Sequence, residues 1–189
     1  MRRAAVLLLA ACLLVSAPAR AVTVSVTITD DVFGPTSVTV PLGSSVHWAN
    51  EGAHTHTSTS DRGFWDSGDL LSGAVFDRIF TSSGVFAYHC MHHSDMHGKV
   101  VVPLKAIGSA GAGWTLRWST GTAAAGTAFD VQYRREGTAT WRAFRTNTSV
   151  ATGFFNPTRA ARYFLRARTT NTTTGGESGW SPLLLKRIT

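Results

Sequence analysis

The stretch Gly84-Val85-Phe86-Ala87-Tyr88-His89-Cys90-Met91-His92-His93-Ser94-Asp95-Met96 carries two patterns at once. Up to Cys90 it alternates, which places Phe86, Tyr88 and Cys90 on one face of a strand and His89 on the other. The Cys90 thiol then points to the core side at the strand's end. Beyond it, a short loop offers a thiol, imidazoles and a thioether between Cys90 and Met96. Outward from this segment the same period recurs. Val22, Val24, Val26 and Ile28 alternate with Thr23, Ser25, Thr27 and Thr29, Val38 and Val40 repeat the pattern, and Val100 to Leu104 is a short apolar run. Gly34-Pro35, Pro41, Gly43, Gly52, Gly63, Gly68, Gly73 and Gly98 punctuate these runs. Helical periodicity is absent after residue 21. Short strands at this spacing predict an all-β sandwich.

The histidines mark where the chemistry lies. All seven fall between His47 and His97. Of the two cysteines, Cys12 lies in an N-terminal apolar run and Cys90 in the quoted segment. A single thiol in an exported domain closes no internal disulfide, so it is either a buried, inert side chain or a ligand. A thiolate, two imidazoles and a thioether suit copper. The sulfur donors are soft and favour Cu(I), while imidazole also serves Cu(II). Zinc would accept cysteine and histidine but gains little from methionine.

At this point the sequence resembles the cupredoxins, blue copper proteins of the plastocyanin and amicyanin kind. The resemblance rests on Trp48-Ala49-Asn50-Glu51, His56-Thr57, Ser60-Asp61, Asp66-Ser67-Gly68, and Gly84-x-Phe86-x-Tyr88-x-Cys90-x-x-His93-x-x-Met96-x-Gly98-x-Val100. It spans roughly residues 23–103, and the short C-x-x-H-x-x-M loop is most similar to that of amicyanin. It implies one type 1 copper ion held by His56, Cys90, His93 and Met96. His54 competes with His56. The family's first histidine usually stands eight residues after the strand tryptophan, which selects His56, although Thr55 replaces the proline common before it. His47, His89, His92 and His97 match no ligand position and are expected at the surface, with His92 and His97 flanking the ligand loop.

The second half differs in charge. Residues 22–105 carry eight acids against four bases, a net of −4, whereas residues 106–189 carry three acids against eleven bases, a net of +8. Ala106-Ile107-Gly108-Ser109-Ala110-Gly111-Ala112 reads as a flexible linker that could hold a weak first strand, and alternation resumes from residue 113 to 189. Trp114, Leu116 and Trp118 share one face, as do Phe129, Val131 and Tyr133, and as do Tyr163, Leu165 and Ala167. This half resembles a fibronectin type III module, an immunoglobulin-like β-sandwich, with Tyr163 as the tyrosine-corner residue. The expected architecture is therefore a cupredoxin Greek-key sandwich over 22–105, a linker over 106–112, and a second sandwich over 113–189. The basic half suits an anionic cell-surface polymer or an acidic redox partner.

Residues 1–21 read as an export signal. Met1-Arg2-Arg3 is positive, Ala4 to Val15 is apolar but too short to span a bilayer, and Ala19-Arg20-Ala21 fits a cleavage site. A rival reading takes Leu9-Ala10-Ala11-Cys12 as a lipobox with a lipid anchor at Cys12. Either places the protein in the periplasm, at the cell surface or outside the cell, with no transmembrane segment and no nucleic-acid partner. An apolar content of 43% with six tryptophans and ten phenylalanines excludes a disordered chain. The function implied is a single-electron carrier serving a redox partner protein, not an enzyme. The competing class is a module for copper storage, delivery or resistance.

Overall fold

The computed structural model describes residues 21–189, so the signal reading of residues 1–20 and Cys12 lie outside the described part. The chain is all-β. The strands β1 (Thr23–Thr29), β2 (Val32–Gly34), β3 (Ser37–Thr39), β4 (Ser44–Asn50), β5 (Thr59–Ser60), β6 (Val75–Phe80), β7 (Gly84–His89) and β8 (His97–Val102) form a first sandwich. Its sheets have the orders β2-β1-β4-β6 and β3-β8-β7-β5. The second is built from β9 (Lys105–Ser109), β10 (Gly113–Arg117), β11 (Thr127–Arg135), β12 (Arg142–Thr148), β13 (Thr152–Phe155), β14 (Ala161–Asn171) and β15 (Leu184–Ile188), in the orders β13-β10-β9 and β12-β11-β14-β15. Among the described residues no helix is long and apolar enough to cross a membrane.

Alternation sets what each strand buries. In β4, Ser44, Val46, Trp48 and Asn50 are buried while their neighbours are half-exposed. In β7, Phe86 and Tyr88 face inward, and Cys90 follows them. Trp48 is the centre of the first core, with Trp65, Phe76, Phe80 and Tyr88 packed round its indole at 5.5–6.4 Å between ring centroids. A separate core holds Leu116, Trp118, Phe129, Val131, Tyr163 and Leu165.

Tyr88 sits in the first core with its hydroxyl lacking a hydrogen-bond partner. Burial pushes its phenol up to about 12. The neutral phenol is thus favoured by the fold. That contribution is complete below about pH 10 and is lost as pH rises through 12, on the order of 2–3 kcal/mol in all. Tyr88→Phe should abolish this alkaline loss. Chemical denaturation of both proteins at pH 9 and pH 12 measures it, and an equal loss in both would count against the assignment.

Residues 106–112 are not a flexible linker; the weak first strand is what forms. Lys105–Ser109 is strand β9, paired antiparallel with β10 from Lys105↔Arg117 to Ser109↔Gly113, and residues 110–112 form the turn between them. The small residues serve close backbone approach. Gly108 has φ 142° and Gly113 φ 88°, and a Cβ on Gly108 would drive into the Gly113 carbonyl. Composition alone does not distinguish a tight hairpin from a loose tether, because both favour glycine.

The two sandwiches also touch. β5 covers only the His89 end of β7, leaving the rest of that edge unpaired. The second sandwich caps it: Val85 N–H donates to the Gly179 carbonyl at 2.9 Å, and Gly179 N–H donates back at 2.8 Å. Open strand edges invite foreign pairing, and covering them removes the hazard.

Candidate metal centre

The buried end of β4 starts the site. Asn50 Nδ2 donates to the carbonyls of His54 and Leu70, both at 2.8 Å, and its Oδ1 accepts from Gly52 N–H at 3.0 Å. This one side chain shapes the loop leading to His56. His56 then pairs with Leu70 through two backbone bonds, N–H to O at 3.1 and 2.7 Å. Its ring is fully buried, whereas His54 is exposed.

The second arm is the segment after β7. Cys90 N–H donates to the Met96 carbonyl at 3.0 Å and Met96 N–H to the His93 carbonyl at 3.1 Å, so the loop closes on itself. Thr57 fastens the two arms together: its hydroxyl accepts from Met91 N–H at 2.9 Å, and its own N–H points at Cys90 Sγ at 3.3 Å. The result is a compact donor set. His56 Nδ1 lies 3.8 Å and His93 Nδ1 3.5 Å from Cys90 Sγ. Cys90 and Met96 are each 2% exposed, and Met96 closes the same loop. Burial, and next the adjacent His93, hold the His56 imidazole below its ordinary range, which leaves its ring nitrogen free to donate a lone pair.

The structure brings His56, Cys90 and His93 together as one group of metal-ligating side chains and leaves His54 outside it. His54 instead belongs to a second, shallower group with Asp31 and the outer nitrogen of His93. Three of the four histidines expected at the surface meet carboxylates. His47 meets Asp77 at 2.9 Å, His89 meets Asp61 at 2.7 Å, and His92 meets Asp69 at 2.7 Å. His92 and His97 join no group of three metal-ligating side chains among the described residues.

Sequence reasoning missed Asp30 and Asp31. Asp30 Oδ1 accepts from Ala53 N–H at 2.8 Å and His54 N–H at 3.3 Å, and these bonds lower its carboxyl below the usual range. Asp31 reaches His93. In sequence the pair is only an acidic turn between β1 and β2, and nothing local shows what it will face.

The profile of the cupredoxin-like domain matches residues 2–102, more than half of the chain. The chain belongs to the cupredoxin-like family, whose fold binds copper. Similar solved structures include a purple cupredoxin from Nitrosopumilus maritimus, 24% identical over 41% of this chain and 97% of that one, with a TM-score of 0.40. A reduced variant of amicyanin is 26% identical over 42% of this chain and 81% of that one, at 0.41. A copper-containing nitrite reductase from Thermus scotoductus SA-01 is 23% identical over 42% of this chain and 22% of that one, at 0.40. No curated protein matches the chain.

Proposed function

We propose that the protein is an exported type 1 copper protein that carries single electrons to or from a redox partner protein. The observation behind this reading is the convergence of His56 Nδ1 and His93 Nδ1 on the buried Cys90 sulfur. The donor types fit copper. His56, Cys90 and His93 would hold the ion, with Met96 as a weak fourth donor. Bound there, copper would supply one-electron chemistry, since Cu(I) and Cu(II) differ by one electron.

The chain's own part is to keep the donors still. Thr57 directs one amide dipole at the sulfur and ties the loop after β7 to the loop carrying His56. The Cys90–Met96 and His93–Met96 backbone bonds fix the loop's turn. Burial of His56, Cys90 and Met96 excludes water from three of the four donors. Donors that need not move keep rearrangement small between oxidation states. Such a carrier makes and breaks no bonds in a substrate.

The competing reading is copper storage or delivery. Two measurements on the copper-loaded protein separate them. Rapid self-exchange with a reversible potential is the expected result. Slow exchange combined with ready transfer of the ion to a chelating acceptor would overturn the carrier reading.

For the second sandwich we favour a fibronectin type III-like module that meets an anionic partner. Its support is the Tyr163 hydroxyl, which donates to the Arg159 carbonyl at 2.8 Å as a tyrosine corner does. Charge supports the rest. Its three acids are engaged, Glu136 with Arg162 and both Asp130 and Glu177 with Arg168. Arg135, Arg142 and Arg159 instead line a pocket of about 520 Å³ with Tyr133, Thr138 and Tyr163 and no acid. Retention on an anionic polymer should fall steeply with salt, and salt-independent retention would remove the proposal.

A further inference from the structure

The two histidines of the donor set are held in different ways. His56 is fixed by burial and by its backbone pairing with Leu70, and its Nε2 has no partner. His93 is the more accessible ring, its side chain 27% exposed, and packing alone encloses it less. Its Nδ1 faces Cys90 Sγ at 3.5 Å while its Nε2 lies 3.0 Å from Asp31 Oδ1. Each nitrogen therefore has one direction. A carboxylate this close to Nε2 favours the tautomer that carries its proton there, which leaves the Nδ1 lone pair facing the donor set.

The backbone at Asp31 is itself constrained. It has φ 65°, a left-handed conformation that aspartate and asparagine tolerate better than most side chains. Its neighbour Asp30 binds the turn to the amides of Ala53 and His54. His54 Nδ1 lies 3.3 Å from the same Asp31 oxygen, and its ring stacks on His93 at 6.0 Å and 29°. The turn between β1 and β2 thus brings a carboxylate to the outer edge of the ring.

We propose that Asp31 is a positioning residue for the metal centre: its carboxylate orients the His93 ring through Nε2 and shifts the centre toward the oxidised ion. This rests on the copper reading above. A carboxylate on the far nitrogen raises the basicity of the donor nitrogen and places negative charge near the ion. Both effects favour Cu(II) over Cu(I), so the reduction potential is lower than it would be without Asp31.

The test uses the full chain, apo and copper-loaded, as wild type, Asp31→Gly, Asp31→Asn and Asp69→Asn. Glycine accepts the left-handed backbone without strain and removes the carboxylate. Asparagine keeps an oxygen near Nε2 but loses the charge. Asp69→Asn removes an equal charge from a residue that contacts His92 and not His93. Two readouts are needed: the potential at fixed pH, and the ring-nitrogen NMR signals of His93 in the apo protein. For Asp31→Gly we expect Cu(II) binding weakened tenfold relative to Cu(I), a rise of about 59 mV for one electron. The Nε2–H signal of His93 should also be lost. Asp31→Asn should keep that signal and show part of the rise. A potential in Asp31→Gly equal to that of Asp69→Asn, or an unchanged His93 signal, would overturn the inference. A wild type that takes up copper without a visible copper–thiolate band would instead refute the copper reading, and the apo NMR comparison would still decide whether Asp31 orients the ring.

Discussion

Cys90→Ser is expected to abolish the intense visible absorption of the copper-loaded protein, not merely to weaken it. That absorption comes from charge transfer between sulfur and Cu(II), so it requires the thiolate itself. A serine hydroxyl is neither soft nor readily ionised, and it cannot replace a thiolate as donor. The fold should tolerate the change. Cys90 is 2% exposed at the end of β7, and serine differs from it by one atom. What is lost is the approach of the two imidazole nitrogens to sulfur, while a hydroxyl oxygen still accepts from the Thr57 amide. Far-ultraviolet circular dichroism should therefore match wild type while the visible spectrum is empty. Tight copper binding should be lost with the colour, leaving at most the binding of two imidazoles and a weak thioether. A visible band surviving in Cys90→Ser would mean that the sulfur is not a ligand, and the donor set would have to be redrawn around His54, His93 and Asp31.

Much of this centre is legible in the sequence. The alternation through Phe86, Tyr88 and Cys90 is a local property of the chain, and it predicts both the strand and the direction of the thiol. Likewise the loop from Cys90 to Met96 is short enough that three of its donors must be neighbours. His56 required more, because thirty-four residues separate it from Cys90. Its placement came from resemblance, and the buried Asn50 side chain supplies the physical reason why that histidine and not His54 turns inward. Asp31 could not be read at all. Its meeting with His93 depends on β1 lying parallel to β4, from Thr23↔Ser45 to Ile28↔Asn50, a pairing that no periodicity in either strand encodes. The glycine-rich stretch at 106–112 failed for another reason. Glycine signals only that side chains are unwanted, and here they are unwanted because two backbones pass closely.

The contact between the sandwiches leads to the other large effect. Thr169, on β14 and 2% exposed, sets its hydroxyl 2.8 Å from Ser82 Oγ and 3.1 Å from the Ser83 carbonyl. Ser82 and Ser83 belong to the first sandwich and are themselves buried. Around them, Ser83 N–H donates to the Trp118 carbonyl at 2.8 Å and Thr120 N–H to the Thr81 carbonyl at 2.9 Å. At the far end Asn171 Nδ2 donates to the Gly63 carbonyl at 2.7 Å. Close approach is essential here, since a Cβ on Gly176 would drive into the Arg62 carbonyl. Thr169→Val keeps the shape and removes the hydroxyl. The Ser82 hydroxyl and the Ser83 carbonyl then lose a partner in a place water does not reach, at a cost of about 1–3 kcal/mol for each group left unsatisfied. For a protein of this size each kcal/mol lowers the melting temperature by roughly 2–4 °C, so the total shift should be readily measured. Thr170→Val, half-buried on the opposite face of β14, is the control and should change little. The informative comparison follows the melt twice, by the visible copper band and by tryptophan fluorescence. If the sandwiches support one another, Thr169→Val lowers both transitions together. A copper band that melts at the wild-type temperature while the fluorescence transition falls would show that the first sandwich stands alone, and the capped edge of β7 would then contribute nothing to the stability of the metal centre.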